Sequence, residues 1–516
     1  MSAHRDCAIA RNGFVIDRAA IPRLGIDEFR HFVLEGVDEG LRVASLFGHA
    51  AANGGADQPV ELMAVLADDA QGHLLFATTR LDGDEFPSLT PRCPQVHLFE
   101  REIAEQFGVK PVGHPWLKPV RFHGSWRRGR DAWGRPPGET PLIGVMDYYQ
   151  VDGDEVHEVA VGPVHAGVIE PGHFRFQCHG EQAFHLEISL GYQHRGVERA
   201  LLGAPAGHKR TIHYLETACG DTTIGHATAF ARIIEALSRT PAPPRANALS
   251  AIMLELERLA NHVGDLGALA GDVGYLPTAA FCGRLRGDYL NMTAHICGSR
   301  FGRGMVRPGG VGFDLDNGRI SELLDRLEAA QKDTASAVNL LWDTPSVMAR
   351  MEDVGCVTAH DGEALGLVGL TARACGVGRD VRHDHAAGHF RFSHIPVSTW
   401  SSGDVFARAY VRWLEVQRSI AFVREQLQAL PGGPHRSSTD APVAPGQCVA
   451  SLTEGWRGEV CHVALTDEAG RFSRYKITDP SFHNWQGLAM AMRNQQISDF
   501  PLCNKSFNLS YCGHDL

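Results

Sequence analysis

Apolar residues recur at helical spacing through three long segments of the second half of the chain. In residues 246–273 these positions are Leu249, Met253, Leu256, Ala260, Val263 and Leu266. Residues 320–342 and 405–430 show the same spacing. A repeat near 3.6 residues predicts an α-helix with one buried face. We therefore predict that the second part of the protein is mostly helical.

Shorter apolar runs predict β-strands. The N-terminal region has such runs at residues 61–68 and 73–81, and it also has a helical pattern over residues 97–109 with Gly108 as its stop. Further along, alternation predicts a β-hairpin at Phe174, Phe176, Phe184, Leu186 and Ile188. The fold class is therefore α+β: a small N-terminal α+β domain followed by a mostly helical domain with a small β-sheet.

Composition divides the chain into two domains and a linker. A length of 516 residues is typical of more than one domain. Residues 126–145 are rich in Gly, Pro and charge and have no periodicity, which is typical of a linker. We assign residues 1–125 to the first domain and 146–516 to the second.

Charge and cysteine usage exclude several classes of function. Sixty acidic and 49 basic side chains give a net charge of −11 without a basic block, so we expect no nucleic-acid partner. No apolar run approaches the roughly 18 residues of a membrane span, and the first residues are too charged for a signal peptide. The 12 cysteines include no Cys-x-x-Cys pair, which indicates reduced thiols. We expect a cytoplasmic protein.

Seven motifs together resemble a known family. The segment HLFEREIAEQFGVKPVGHPWLKPVRF resembles the signature of the smaller hydrophilic core subunit of respiratory complex I. Six later strings resemble the large subunit of complex I-related, membrane-bound NiFe hydrogenases, most closely that of formate hydrogenlyase: GPVHAGVIEPGHFRF, GYQHRGVER, ELERLANHVGDLGAL, RACGVGRDVR, GDVFARAYVR and ITDPSFHNW. In that subfamily the two parts are fused in this order, so the resemblance covers nearly the whole chain.

The resemblance implies an assembly. It places the chain in the soluble arm of a complex, packed on a small subunit that carries Fe-S clusters. On the membrane side, the resemblance implies antiporter-like and other membrane-arm subunits as partners. A formate dehydrogenase or another electron-donor subunit is a further implied partner. The expected location is the inner face of the cytoplasmic membrane. The implied function couples electron transfer to ion or proton translocation.

The metal ligands that the family implies are incomplete in this sequence. NiFe hydrogenases hold their metals with two Cys-x-x-Cys pairs, whose soft thiolates suit nickel and low-spin iron. At the early pair Cys219 matches, but Thr222 replaces the second cysteine. At the late pair Ser510 and Gly513 occupy the two positions, with Cys512 displaced by one residue. We therefore expect no intact NiFe centre, with Cys219 and Cys512 as remnants of a metal site.

The related complex I subunit binds quinone through a hairpin His and a Tyr. The hairpin here is of the hydrogenase type, and the Tyr position aligns with Gly220. His165 and His173 are candidate donors, since neutral imidazole suits a carbonyl or a proton relay. Nearby carboxylates extend the relay candidates to Glu170, Glu187 and Asp221. The alternative for each residue is a buried polar network that fixes the hairpin.

Two further segments contain candidate chemistry. Arg373, Asp380 and Arg382 resemble the family's loop over the metal cavity, with a structural salt bridge as the alternative. The string HDHAAGHF places His383, His385 and His389 at spacings that suit a metal, but it lacks a cysteine or carboxylate partner pattern, so we interpret it as a surface loop.

Four functions stay open on the sequence alone. The leading hypothesis is a redox-linked coupling subunit that binds no NiFe cofactor. The alternatives are an active hydrogenase with an atypical ligand set, and a quinone-reducing subunit or a non-catalytic adaptor. No Gly-rich dinucleotide fingerprint follows a predicted strand, so the sequence does not support direct binding of NAD.

Overall fold

A computed structural model describes residues 7–50, 58–136, 138–139, 141–165, 169–203, 205–438 and 442–516. The N-terminal part contains two helices, α1 (Ile26–Asp38) and α2 (His97–Phe107). Its strands are β1 (Ala8–Ala10), β2 (Val15–Asp17), β3 (Arg23–Leu24), β4 (Arg42–His49), β5 (Glu61–Asp68), β6 (His73–Arg80), β7 (Glu85–Pro87) and β8 (Lys110–Val112). As predicted, α2 ends at Gly108, which adopts a left-handed conformation.

The central N-terminal sheet has the order β1-β6-β5-β4, with β3 parallel to β6. Successive side chains of a strand point to opposite faces. In β5, Leu62, Ala64 and Leu66 accordingly pack under α1 and α2. The alternate residues, Met63 and Val65, pack against a second sheet from the C-terminal part. Burial on both faces explains the continuous apolar run of this strand.

The second part begins with a three-stranded sheet and continues mainly as helices. The sheet contains β9 (Val156–Val161), β10 (His173–His179) and β11 (Gln182–Ser189), so the predicted hairpin is confirmed. The next helices are α3 (Val197–Ala200), α4 (Thr211–Glu216), α5 (Thr223–Ser238), α6 (Pro244–Asp272) and α7 (Leu276–Cys297). The predicted apolar face of α6 is buried between α7 and a later helix, residues 405–428.

The remaining elements complete the helical bundle and add the second sheet. The strands are β12 (Val306–Arg307), β13 (Gly310–Val311), β14 (Gln447–Glu454), β15 (Glu459–Thr466) and β16 (Phe472–Thr478). The helices are α8 (Asn317–Trp342), α9 (Pro345–Met351), α10 (Ala359–Ala364), α11 (Gly369–Ala374), α12 (Val381–Asp384), α13 (Val405–Gln428), α14 (Pro480–Ala491), α15 (Phe500–Phe507) and α16 (Tyr511–Asp515).

The two parts share a sheet. Strand β2 lies near the N-terminus but pairs with β14 in the order β16-β15-β14-β2, with Ile16 opposite Cys448. The described residues of the linker contain no helix or strand, whereas Pro137 and Thr140 lie outside the described residues. Arg127 and Arg130 nevertheless anchor the linker through ion pairs with Asp84 at 2.8 and 2.6 Å. None of the described helices meets the length and hydropathy of a bilayer span.

Candidate functional site

Two cysteine side chains from distant parts of the chain meet at one hydroxyl group. Cys219 lies in the turn between α4 and α5, and Cys512 lies in α16. The Sγ atoms of Cys219 and Cys512 are 3.1 and 3.4 Å from Ser510 Oγ. Ser510 is fixed because its hydroxyl caps α16 by accepting a hydrogen bond from the Gly513 N–H at 2.8 Å. The two remnant candidates are therefore brought together.

An ion pair lies beside the thiols. The Arg457 guanidinium donates to both oxygens of Asp221 at 2.6 and 2.8 Å, and its Nη1 is 3.5 Å from Cys219 Sγ. Arg457 also stacks 3.9 Å from the centre of the Trp456 ring. Burial alone would raise the pKa of Asp221, but the Arg457 charge lowers it. We call Glu170, Cys219, Asp221, Arg457, Ser510 and Cys512 the Cys219–Cys512 site.

Glu170 provides the half-buried edge of this site. Its Oε2 accepts a hydrogen bond from the Tyr511 N–H at 3.3 Å. Burial, together with the neighbouring Cys512 charge, raises the pKa of Glu170 to about 8. Hydrogen bonds from Cys219, Ser510 and Glu170 lower the pKa of Cys512, whereas the bond to Cys512 and burial raise that of Cys219. The site therefore holds one acidic thiol beside a carboxyl group that stays protonated at neutral pH.

The position of the missing late cysteine is occupied by a carboxylate. A Cβ atom added at Gly513 would lie 2.6 Å from Asp479 Oδ2, closer than real Cβ contacts. Asp479 is held in place by His226 at 3.1 Å and by the Ser481 N–H at 2.8 Å. A cysteine at position 513 would therefore require this buried aspartate to move.

The two hairpin histidines, His173 and His165, differ in whether their ring nitrogens have hydrogen-bond partners. His173 Nδ1 lies 3.1 Å from the Gly162 carbonyl oxygen, and its Nε2 accepts a hydrogen bond from Arg175 at 3.1 Å. Both ring nitrogens of His173 are thus engaged, and burial lowers its pKa. His165 Nε2 has no hydrogen-bond partner among the described residues. Residues 166–168 of the hairpin motif lie outside the described residues.

Glu187 lies in a different environment from the thiols. Its carboxylate accepts hydrogen bonds from Trp116 Nε1 at 2.8 Å, Lys118 Nζ at 2.7 Å and the Tyr149 N–H at 2.8 Å. Trp116 and Lys118 belong to the first domain, whereas Tyr149 lies just after the linker. Glu187 therefore joins the two parts of the chain, and none of these partners belongs to the Cys219–Cys512 site.

The three residues of the predicted cavity loop belong to a buried ion-pair network. Arg373 contacts Glu454 at 2.8 Å and Glu415 at 2.7 Å. Arg382 contacts Asp380 at 2.6 Å and Glu255 at 3.1 Å. With Arg258, which contacts Glu255 and Glu415, these residues form what we call the Arg373 network. Its members are at most 6% exposed, so each charge depends on its partners.

A backbone turn connects the network to the Cys219–Cys512 site. Arg258 donates to the carbonyl oxygens of Glu454 and Gly455 at 2.8 and 3.1 Å. The same turn continues into Arg457, which pairs with Asp221. The network therefore supports the segment that carries Arg457.

Three residues have no role assigned from the sequence, and two of them, Asp479 and Glu257, lie in strings quoted above. Arg457 lies in EGWRGE, Asp479 in ITDPSFHNW and Glu257 in ELERLANH. Glu257 accepts hydrogen bonds from the Ile224 and Gly225 N–H groups at 2.7 and 3.3 Å, and burial raises its pKa to about 8. The sequence signal that could have pointed to these three residues is that each lies in a motif. Only the fold shows which partner each residue meets.

Comparisons with known proteins agree with this architecture. The family described as the respiratory-chain NADH dehydrogenase 49-kDa subunit matches residues 272–447 and 437–515, and the 30-kDa subunit family matches residues 29–133. The chain is 30% identical to a carbon monoxide-induced hydrogenase of Rhodospirillum rubrum over 355 residues, 68% of this chain and 97% of that protein. The chain belongs to the complex I 49-kDa family.

In this chain the 30-kDa-type region lies N-terminal to the 49-kDa-type region. The chain is 27% identical to formate hydrogenlyase subunit 5 of Escherichia coli K12 over 86% of this chain and 79% of that protein. A chain of the archaeal membrane-bound sulfane sulfur reductase shares the fold, with a TM-score of 0.66, 20% identity and coverage of 71% of this chain and 100% of that one. The predicted fusion and α+β fold are confirmed.

The donor set of this 49-kDa-type subunit does not fit a NiFe centre. Cys219, Thr222, Ser510 and Gly513 stand where the family implies four metal-binding thiolates, and the second thiol, that of Cys512, is displaced by one residue. A hydroxyl oxygen is too hard and too basic to replace a thiolate on nickel. Asp479, as described above, closes the Gly513 position to a fourth ligand.

Proposed function

We propose that this chain is a redox-linked coupling subunit in which the Cys219–Cys512 site handles protons rather than a NiFe cofactor. The single observation that carries the proposal is the Asp479 carboxylate, which fills the space of the missing late ligand beside Gly513. The framework of the family's metal site is kept, while its ligand positions are taken by groups that hydrogen-bond to one another.

A continuous series of hydrogen bonds supports proton handling. It runs from Glu170 to Cys512, then to Ser510 at 3.4 Å, to Cys219 at 3.1 Å and to Asp221 at 3.1 Å. Groups in such a series pass a proton by exchanging donor and acceptor roles. Glu170 holds a proton at neutral pH at the half-exposed end, and Asp221 is an acceptor at the other end.

The assembly part of the proposal follows the relatives. We place the chain on a small subunit with Fe-S clusters, next to antiporter-like membrane subunits, at the inner face of the cytoplasmic membrane. Its relatives include subunits of formate hydrogenlyase, NADH-quinone oxidoreductase and F(420)H(2) dehydrogenase. A formate dehydrogenase or another donor subunit would then supply electrons. This chain itself would bind no Fe-S cluster.

Elemental analysis of the purified complex tests the cofactor claim first. We expect iron from the small subunit and nickel well below one atom per copy of this chain. Stoichiometric nickel would overturn the proposal and favour the alternative of an active hydrogenase with Cys219 and Cys512 among atypical ligands.

The proton claim is tested with E170Q in the assembled complex. Glutamine keeps the shape but cannot exchange the proton, so coupled proton movement should fall roughly 10²-fold, a typical general acid–base contribution. E181Q is the matched control, because Glu181 is an exposed carboxylate at the neighbouring hairpin turn. Unchanged proton movement in an E170Q complex with all its subunits would instead favour a structural adaptor.

A further inference from the structure

A cavity lies where the two parts of the chain meet, and the proposed function does not use it. Its volume is about 530 Å³, within the range of small-molecule sites. The β1–β2 turn, the β5–β6 turn, the end of α5 and the loop around residues 383–391 form its walls. The last of these contains the HDHAAGHF string, so that segment is not the simple surface loop expected from its sequence. We call this space the cationic cavity.

The side chains that line the cationic cavity carry an excess of positive charge. Four arginines line it, against two carboxylates, Glu235 and Asp384. The arginines are Arg11, Arg232, Arg239 and Arg391. Burial raises the pKa of Glu235 to about 7, which reduces the negative charge further. This excess is notable in a chain with a net charge of −11.

Three of these guanidinium groups have no carboxylate partner among the described residues. Arg11, Arg239 and Arg391 are exposed toward the cavity mouth and form no ion pair within the part of the chain that the structure describes. Arg232 donates only to neutral oxygens, among them the Leu452 carbonyl at 3.0 Å. Guanidinium groups bind carboxylates and phosphates through paired, charge-assisted hydrogen bonds. Their convergence on one cavity therefore favours an anionic ligand.

A buried histidine supplies an independent observation. His385 is 2% exposed and lines the cationic cavity. Its Nε2 bonds to Asp69 Oδ1 at 2.9 Å, but its Nδ1 has no hydrogen-bond partner among the described residues. A buried polar atom without a partner costs free energy, so it points to a missing ligand or solvent atom. His383, paired with Asp384 at 2.8 Å, also lines the cavity.

We propose that the cationic cavity binds a small molecule carrying a multiply charged oxyanion, of the phosphate or carboxylate class. Arg239, Arg391 and Arg11 bind the charged oxygens, and His385 Nδ1 makes a further hydrogen bond to the ligand. This site is separate from the Cys219–Cys512 site, since the residues that line the cavity include none of its members. It does not depend on the proposed function.

Calorimetric titration of the purified full-length complex tests the proposal, with pyrophosphate and citrate as the probes. We expect saturable binding of one of them, one per copy of this chain. Preference for pyrophosphate assigns a phosphate ligand, and preference for citrate assigns a carboxylate ligand. R239Q and R391Q should each weaken binding roughly tenfold, the effect of losing one charged hydrogen bond.

The control variant is R319Q. Arg319 is an exposed arginine on α8 that does not line the cavity, so its replacement should leave binding unchanged. Equal weakening by R319Q would reduce the effect to general surface charge and overturn the proposal. So would the absence of binding by both probes in a correctly assembled complex. If R239Q and R391Q released a copurifying subunit while no probe bound, the cavity would be a docking site for an acidic protein segment instead.

Discussion

The Cys219–Cys512 site and the Arg373 network lie on either side of one backbone turn, yet they use charge differently. In the network, each guanidinium meets carboxylates within 2.6–3.3 Å and the members are almost fully buried. In the site, Cys512 and Glu170 are half-buried, and the Asp221 side chain keeps 31% of its surface exposed. The network is closed to solvent and suits support, whereas the site is partly exposed, as the proposed proton exchange requires.

Breaking the network should have the largest effect on stability. R373M removes one guanidinium and leaves Glu415 and Glu454 without that partner in the interior. Removal of one partner from a buried ion pair costs about 3–5 kcal/mol. Denaturant unfolding of the full chain measures the free energy of unfolding, with R319Q as a surface control within about 0.5 kcal/mol of wild type. If R373M and R319Q lowered the free energy of unfolding by similar amounts, the buried network would not be the stabilising element that we infer.

Removal of the Asp380 charge should have a smaller effect on the free energy of unfolding, and this effect should depend on pH. D380N leaves Arg382 with Glu255, and we expect it to lower the free energy of unfolding by about 1–3 kcal/mol at pH 7. Burial opposes ionisation of Asp380, but Arg382 and Arg373 lower its pKa from 3.8 to about 2.

The sign of the pH dependence follows from that pKa. The unfolded chain takes up a proton near pH 4, whereas folded Asp380 stays ionised until about pH 2. The stabilisation by Asp380 is therefore present above pH 4 and is lost as the pH falls toward 2. The difference between wild type and D380N should shrink over this window in unfolding curves. A constant difference would show that the charge of Asp380 does not contribute.

Because the Cys219–Cys512 site is partly exposed, we expect its Cys512 thiol to react with an alkylating reagent. This is the smallest of the three expected effects. Iodoacetamide should modify Cys512 several-fold faster than Cys356 at pH 7, although Cys356 is the more exposed thiol. The reason is that the hydrogen bond from Cys219 lowers the pKa of Cys512, whereas partial desolvation and the nearby Asp404 carboxylate raise that of Cys356. Peptide mapping by mass spectrometry measures both rates in one sample, and faster modification of Cys356 would refute the assignment.

Much of the fold was predictable because local patterns fix local structure. The helices α6, α8 and α13 follow from apolar spacing, the end of α2 from Gly108, and the β10–β11 hairpin from alternation. The pairing of β2 with β14 was not predictable, since it joins residues more than 400 positions apart. The HDHAAGHF segment shows the same limit, because the carboxylate partner of His385 is the distant Asp69.

For the candidate site, the sequence by itself determined which ligands are missing: Thr222, Ser510 and Gly513 stand where the family implies cysteines. Only the tertiary structure decided what replaced them. It placed Asp479 against Gly513, paired Arg457 with Asp221, and separated Glu187 and the Arg373 network from the thiols. The physical reason is that chemistry depends on distances between atoms, and residues remote in sequence acquire those distances only when the sheets and helices pack.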